Sequence, residues 1–502
     1  MNLPQKLHPA FLDGKVKGLF INGQTQAALS GRTFDTISPS TGELLAKVSQ
    51  AGKEDIDLAV AAARKAFEGE WRRFKPFDRQ QVMLKLAEIV EKNYDELALL
   101  DSMDMGAPLS RTLLGRRRAV SLLRYYAGLA TTIEGVTIPN SAAGDIFAYT
   151  QKEPVGVVGA INPWNGPIGL AIWKICPVLA SGCTIVLKPA EQAPLSPLRL
   201  AELCMEAGIP PGVINVVTGL GDAGAALAEH PDVDKIAFTG STEVGQKIVR
   251  ASAGNMKRLS MELGGKSPDI VFDDADLEAA VPGAAMAVFQ NSGQICSAGT
   301  RLYVQRSIYE EFVQRVAAYA KTLRVGDPLA PETQLGPVVS SEQLDRISGF
   351  LELGKQQGAR TLSGGERITE GSLGKGFYIA PTVFADVNDN MRIAREEIFG
   401  PVISAMPFDT LEEVIVRAND SNYGLGSGVW SRNINTVHRV AQGLRTGTVW
   451  ANCYQVMDPA IPFGGYKMSG YGRESGQEHL REYVQTKSVI VKLDEASTPQ
   501  RA

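Results

Sequence analysis

From residue 53 to about 132, apolar side chains recur at intervals of three and four, as in IDLAVAAARKAF (56–67) and QQVMLKLAEIVEKNYDELALL (80–100). Positions so spaced share one helical face, so the pattern predicts a long helical stretch. Ahead of it, KGLFINGQTQAALSGRTFDTISPSTGELLAKVS (17–49) reads as short strands and turns. Behind it, DIFAYTQKEPVGVVGAI (145–161) carries a two-strand signal.

The rhythm then changes. GVVGAI is followed by an amphipathic run at 169–181, CTIVLKP, a helix at 197–207, GVINVVTG, a helix at 222–230 and KIAFTG. PDIVFDD opens a second series, with helices at 275–290, 307–323 and 341–357 around RLYVQ and the loop GDPLAPETQLGPVVS. It closes through PVISAMPF, a helix at 410–419, GLGSGVWS, a helix at 433–444 and GTVWANCY. Strands alternating with helices imply parallel βαβ units, hence two doubly wound α/β domains. The tail strand KSVIVKL (487–493) finds no partner in its own domain and reads as an addition to another subunit's sheet.

Composition narrows the function. The chain has 502 residues, 44% hydrophobic and 21% charged, which fits a globular protein with a substantial core. A net charge of −4 offers no general attraction to nucleic acid or anionic membrane. The basic run GRRRAVSLLR (115–124) has helical spacing and reads as a solvated face. No signal peptide, membrane span or C-terminal address motif is visible, so a cytoplasmic setting is expected. Five cysteines at irregular spacing form neither a disulfide framework nor a zinc motif, and no metal site is expected.

Several short stretches could carry chemistry, each with an ordinary structural reading beside it. GLGDAG (219–224) is a literal G-x-G-x-x-G between a strand and a helix, but 51 glycines make a chance match easy. FTGSTEVG (238–245) offers free N–H groups for a phosphate, or Ser241 or Thr242 as a helix cap. In LKPAEQAP (187–194), Lys188 and Glu191 at a strand's carboxyl edge could bond ribose hydroxyls, or be surface charges. Asn165 in NPWNGP is fixed between prolines, as an oxyanion donor or a turn residue. Glu262, at the end of a strand in MELGGKSP, could be a general base with a raised pKa, or a strand-end surface acid. Cys296, in FQNSGQICSAGTR, is a packed thiol or a nucleophile. The chain's four histidines lie in no motif, so a working Cys296 would take a carboxylate as helper.

Taken together and in order, GVVGAINPWNGP, KPAEQAPLSPL, FTGSTEVG, MELGGKSP, GQICSAGTR, EEIFGPV and PFGGYKMSGYGRE resemble the aldehyde dehydrogenase superfamily from about residue 20 to 493. The resemblance implies a Rossmann-like cofactor domain (1–133 and 153–264), a catalytic domain (265–480) and an oligomerisation flap (134–152 and 481–497), in a homodimer or homotetramer. It implies that Cys296 attacks the aldehyde carbon, that Asn165 and the Cys296 N–H hold the oxyanion, and that Glu262 activates water to hydrolyse a thioester. It assigns Ile161, Trp164, Lys188, Glu191, Gly240, Ser241, Gly245, Leu263, Glu397 and Phe399 to the cofactor, and puts Gly221 and Gly224 at the edge of the adenine pocket. Glu191 would repel a 2′-phosphate, which favours NAD, although some relatives with this glutamate accept NADP.

The substrate tunnel implied by the resemblance is lined by Gly166, Gly169, Trp173, Ile295, Ser297, Gln455, Met457 and Phe463, with Arg118 at its mouth. Many relatives carry an aromatic ring where this chain has Gly166. Removing a ring opens on the order of 100 Å³, so a bulky aromatic, terpenoid or long-chain aldehyde is expected. A carboxylate-bearing semialdehyde, a CoA-acylating member and a non-catalytic protein on the same fold remain the alternatives.

Overall fold

The computed structural model describes residues 9–493. The extreme ends, read above for targeting signals, and the last positions of the expected flap (494–497) lie outside the described residues. Among the described residues, no helix is long and apolar enough to cross a membrane.

The stretch expected as one long helical run is three helices: α1 (Lys53–Glu68), α2 (Pro76–Met105) and α3 (Leu109–Leu129). The apolar rhythm continues through all of them, but backbone chemistry cuts it. Pro76 begins α2, where a missing N–H costs nothing. Gly106 ends α2 in the left-handed region (φ 81°), and Pro108 caps α3. Five further helices bear on the site: α4 (Pro167–Ser181), α5 (Leu195–Glu206), α6 (Gly221–Glu229), α7 (Thr242–Ala251) and α8 (Leu277–Phe289).

Strands β1 (Leu19–Ile21) and β2 (Gln24–Gln26) form a hairpin, as do β3 (Thr33–Ile37) and β4 (Leu44–Ser49). After β5 (Ile146–Pro154) come β6 (Val157–Ile161), β7 (Thr184–Lys188), β8 (Ile214–Val216), β9 (Lys235–Thr239) and β10 (Arg258–Glu262). Then follow β11 (Pro268–Val271), β12 (Arg301–Gln305), β13 (Arg360–Ser363), β14 (Thr382–Ala385), β15 (Val402–Phe408), β16 (Gly426–Trp430), β17 (Thr448–Ala451), β18 (Gly470–Tyr471) and β19 (Val484–Lys492).

The first sheet runs β18-β10-β9-β6-β7-β8-β1-β2 and is parallel from β10 through β8. Every residue of β6 and β7 is buried, because helices cover both faces, and this is why these strands read as unbroken apolar runs. The chain moves outward from β6 to β7 and β8, then returns to β9 on the other side. That reversal makes a crevice at the carboxyl ends of β6 and β9, where open α/β sheets bind ligands. The second sheet, β13-β14-β15-β12-β11-β16-β17, is parallel except for its edge strand β13. It is doubly wound about β11 in the same manner. The mixed α/β architecture with two such sheets agrees with the sequence reading.

The tail strand, read as having no partner in its own domain, is paired within the chain: β19 pairs antiparallel with β5 over nine residues, from Val484–Pro154 to Lys492–Ile146. The partner lies more than 300 positions earlier, and pairing at that separation leaves no local trace in the tail. Near the end of the chain, β18 joins the first sheet beside β10.

Candidate active site

A cleft of about 930 Å³ is lined by Thr239 and Glu262 at the strand ends of the first sheet and, from the half of the chain that carries the second sheet, by loop and helix residues such as Cys296, Gln343, Glu397 and Tyr423. The nucleophile loop enters it after α8. There Asn291, Ser292 and Gly293 take three successive left-handed conformations (φ 52°, 54° and 74°), turning the chain sharply before Cys296. The strain is held by hydrogen bonds. Ser292 Oγ donates to Gly336 O at 2.7 Å, and Gln294 Oε1 accepts from Val339 N at 2.9 Å. Gly265 packs against the same loop so closely that a Cβ there would lie 2.4 Å from the Cys296 carbonyl oxygen. Only glycine lets the end of MELGG approach the cysteine.

Cys296 is half-buried and lines the cleft; the thiols of Cys176, Cys183 and Cys204 are buried in the core. Burial, then the nearby Glu397 and Glu262, pushes the Cys296 thiol well above its ordinary pKa, while the N–H of Ser297 opposes the shift. Glu262 lines the same cleft, and neither of its carboxyl oxygens has a hydrogen-bond partner among the described residues. Burial, then Glu474, drives its pKa well above the carboxylate range. Glu474 is in turn bound to Lys174 Nζ in a buried ion pair. An unpartnered buried carboxyl is costly, and such groups concentrate where a proton must be taken or given.

Asn165 stands at the entrance to α4. Its Nδ2 donates to Gln294 O at 3.0 Å, and its backbone oxygen accepts from Asn291 Nδ2 at 3.1 Å. One amide N–H is thereby tied to the cysteine loop, which orients the other. The structure thus brings Cys296, Glu262 and Asn165 to one cleft.

The same cleft is also lined by Trp164, Gly240, Ser241, Leu263, Glu397 and Phe399. Glu397 Oε1 accepts from Gly265 N at 2.9 Å, and burial raises its carboxyl to about 7. Phe399 adopts φ 59° and meets Trp164 edge-on at 5.2 Å. Ser241 caps α7, accepting from Val244 N at 3.3 Å, so the capping reading of this serine describes what its side chain does. Gly245 lies against Leu263, where a Cβ would fall 2.6 Å from Leu263 Cδ2.

Other expected cofactor residues lie outside the cleft lining, along the sheet's carboxyl edge. Ile161 and Lys188 are register partners at the ends of β6 and β7, and Lys188 Nζ sits 3.1 Å from Glu191 Oε2. Gly221 opens α6, and a Cβ on Gly224 would touch Ile161 Cδ1 at 4.0 Å. All eight expected tunnel residues (Gly166, Gly169, Trp173, Ile295, Ser297, Gln455, Met457 and Phe463) line the cleft, as does Arg118.

Sequence reasoning missed the residues that hold these groups in place. Gln343 Nε2 donates to Phe399 O at 2.7 Å and Arg346 Nη2 donates to Glu397 O at 2.6 Å, from a helix with no recognisable motif. Asn291 and Gln294 were visible beside Cys296, and a run of amides flanking a candidate nucleophile was the available signal. Glu474 ends PFGGYKMSGYGRE, where residue type and spacing alone give it no role.

The sequence profile of the Aldehyde dehydrogenase family matches residues 26–489. An aldehyde dehydrogenase of Enchytraeus buchholzi is 50% identical over 479 residues, covering 94% of this chain and 95% of the relative. The mitochondrial aldehyde dehydrogenase of Homo sapiens is 47% identical over 485 residues, 96% of this chain and 93% of the relative. The NAD+ complex structure of aldehyde dehydrogenase from Bacillus cereus superposes with a TM-score of 0.95 at 49% identity, covering 98% of this chain and 100% of that one. With a nucleophile loop, a partnerless carboxyl and an oriented amide meeting in one cleft, and a profile match along nearly the whole length, this chain belongs to the aldehyde dehydrogenase family.

Proposed function

We propose that the protein oxidises an aldehyde to its carboxylic acid with NAD, through a covalent acyl group on Cys296. The observation that carries this reading is the convergence of Cys296, Glu262 and Asn165 on one cleft that Trp164, Ser241, Leu263, Glu397 and Phe399 also line. That second set fits a dinucleotide. The N-terminus of α7 presents backbone N–H groups at the crevice beside β9, and Thr239 Oγ1 there is buried without a partner among the described residues. Lys188 and Glu191 form a paired edge for ribose hydroxyls, and Glu397 with Phe399 would hold the nicotinamide end. NAD, when bound, supplies the two-electron acceptor for the aldehyde.

The chain's own groups do the rest. Cys296 gives up its thiol proton to water, and Sγ bonds to the carbonyl carbon as the C=O π pair moves to oxygen. The oriented amide of Asn165, with the Cys296 N–H, donates to the oxygen as it gains charge, a contribution commonly worth 10²–10³ in rate. Once the carbon is oxidised, the acyl group remains on sulfur. Glu262 then takes a proton from water, the water oxygen displaces sulfur, and acid is released. A water-activating carboxyl in the cleft favours hydrolysis over transfer to CoA. The nucleotide part is assigned to 1–133 and 153–264, the catalytic part to 265–480 and the flap to 134–152 and 481–497, in a homodimer or homotetramer.

For the substrate we infer a bulky aromatic, terpenoid or long-chain aldehyde. A Cβ at Gly169 would meet nothing within 4 Å and one at Gly166 only Leu170 at 3.9 Å, so this wall is open. Trp173, Leu170, Ile295, Met457 and Phe463 give it an apolar lining. A steady-state panel of acetaldehyde, phenylacetaldehyde, decanal, betaine aldehyde and succinic semialdehyde with NAD and NADP tests the reading. The expected result is acid formation without CoA, with NAD preferred and the large aldehydes fastest. Fastest turnover of acetaldehyde would contradict the open tunnel.

A further inference from the structure

On α3, Arg116 and Arg124 reach across to carboxylates of α2, Asp95 and Glu91. Arg118 does not. It makes no hydrogen bond and no ion pair among the described residues, yet it is exposed and lines the active cleft. Its guanidinium lies over the face of Trp173, 4.5 Å from the ring centre. Trp173 is itself pinned, its Nε1 donating to Ser475 Oγ at 2.9 Å and its ring lying 6.0 Å from Phe463. The ring face attracts the guanidinium, and none of its five N–H donors is taken by an acceptor among the described residues. The acid nearest in charge terms, Glu474, is already committed to Lys174. Seven positions earlier on the same helix, Arg111 also faces the cleft, but its Nη1 is tied to Gln290 Oε1 at 2.9 Å. Arg118 is therefore a pre-oriented cation without a counter-ion, in a cleft whose neighbouring wall is apolar.

We propose that Arg118 is a specificity-determining residue that binds a carboxylate at the far end of the aldehyde substrate. This deepens the proposed function and rests on it: the preferred substrates are those bulky aldehydes that carry an anionic terminus. A planar fork over an aromatic ring matches a carboxylate's two oxygens, and a neutral chain of the same length leaves the donors unpaired.

The test compares matched substrate pairs, 4-formylbenzoate with 4-methylbenzaldehyde and 10-oxodecanoate with decanal, in the wild-type holoenzyme, Arg118→Leu and Arg118→Lys. Because truncation also uncovers Trp173, the readout is the ratio of kcat/KM within a pair. The proposal expects a ratio of at least tenfold in favour of the carboxylate in the wild type. It expects Arg118→Leu to cut that ratio tenfold or more, mainly through KM, and Arg118→Lys to retain part of it. Higher salt should lower the wild-type ratio. A wild-type ratio near one, or a ratio unchanged by Arg118→Leu, overturns the anchor while leaving the dehydrogenase reading intact. Failure of the wild type to oxidise either member of both pairs overturns that reading, and the anchor with it.

Discussion

Among the site's side chains, Asn165 has an N–H held by the carbonyl of Gln294, so its amide is aimed before any substrate arrives. Asn165→Ala is expected to lower kcat by about 10²–10³ with little change in fold, measured by steady-state kinetics alongside circular dichroism. The rising limb of the pH–rate profile carries the ionisations of Glu262, which must lose its proton to activate water, and of Cys296, whose thiol is likewise held high by burial and neighbouring acids, Glu474 among them. Burial and Glu474 hold the Glu262 pKa well above the ordinary value, so activity should rise with pH along a limb displaced to the alkaline side of a free glutamate. Glu474→Gln removes the neighbouring charge and frees Lys174, and should shift that limb to lower pH. An unmoved limb would show that Glu474 sets the ionisation of neither Glu262 nor Cys296.

At the scale of elements, the positions of most helices were legible because amphipathic rhythm survives whatever lies between the elements. Alternating buried strands likewise announced the parallel sheets. Breaks made by single residues were harder: Pro76, Gly106 and Pro108 divide one continuous apolar pattern into three helices. Lys188 and Glu191 could be placed at a strand end from sequence alone, whereas Gln343 and Arg346 act through backbone carbonyls of a distant loop and carry no local signature. The buried acids of α2 belong to the same hidden class. Asp104 accepts from Leu195 N at 3.0 Å, at the start of α5, and from the Thr36 hydroxyl; Asp101 accepts from Ile168 N at 3.4 Å in the first turn of α4. These two helices follow the segments bearing Lys188–Glu191 and Asn165 respectively. Burial raises Asp104 to about 8 from an ordinary 3.8. The native state then keeps a proton that the unfolded chain releases, so the stability Asp104 contributes is full below about pH 4 and is lost as pH rises through about 8. Asp104→Asn should remove this slope. The melting temperature of the wild type relative to the variant should fall between pH 5 and 8.5, and a pH-independent difference would contradict the assignment.

Across the whole molecule, segments from the first sheet's carboxyl edge and from loops of the second half of the chain line one cleft, and most of the family's motifs meet there although they are far apart in sequence. The order of those motifs was readable in the sequence; their meeting was not, because Cys296 and Gly265 come together only through the packing of separate segments. The β5–β19 ribbon stands apart and leaves Ile490 and Phe147 72% and 45% exposed. An exposed apolar ribbon fits the proposed subunit contact. Light scattering after size exclusion should give a dimer or tetramer for the wild type and a smaller species for Ile490→Glu combined with Phe147→Glu. The most direct test of the account as a whole is a single-turnover measurement on Glu262→Gln, with NADH followed by absorbance and the protein by intact and peptide mass spectrometry. The account predicts a burst of NADH close to one per active site, then a stall, with the acyl mass on the peptide that contains Cys296. Continued turnover at the wild-type rate, or a burst with no acyl group on Cys296, would contradict it.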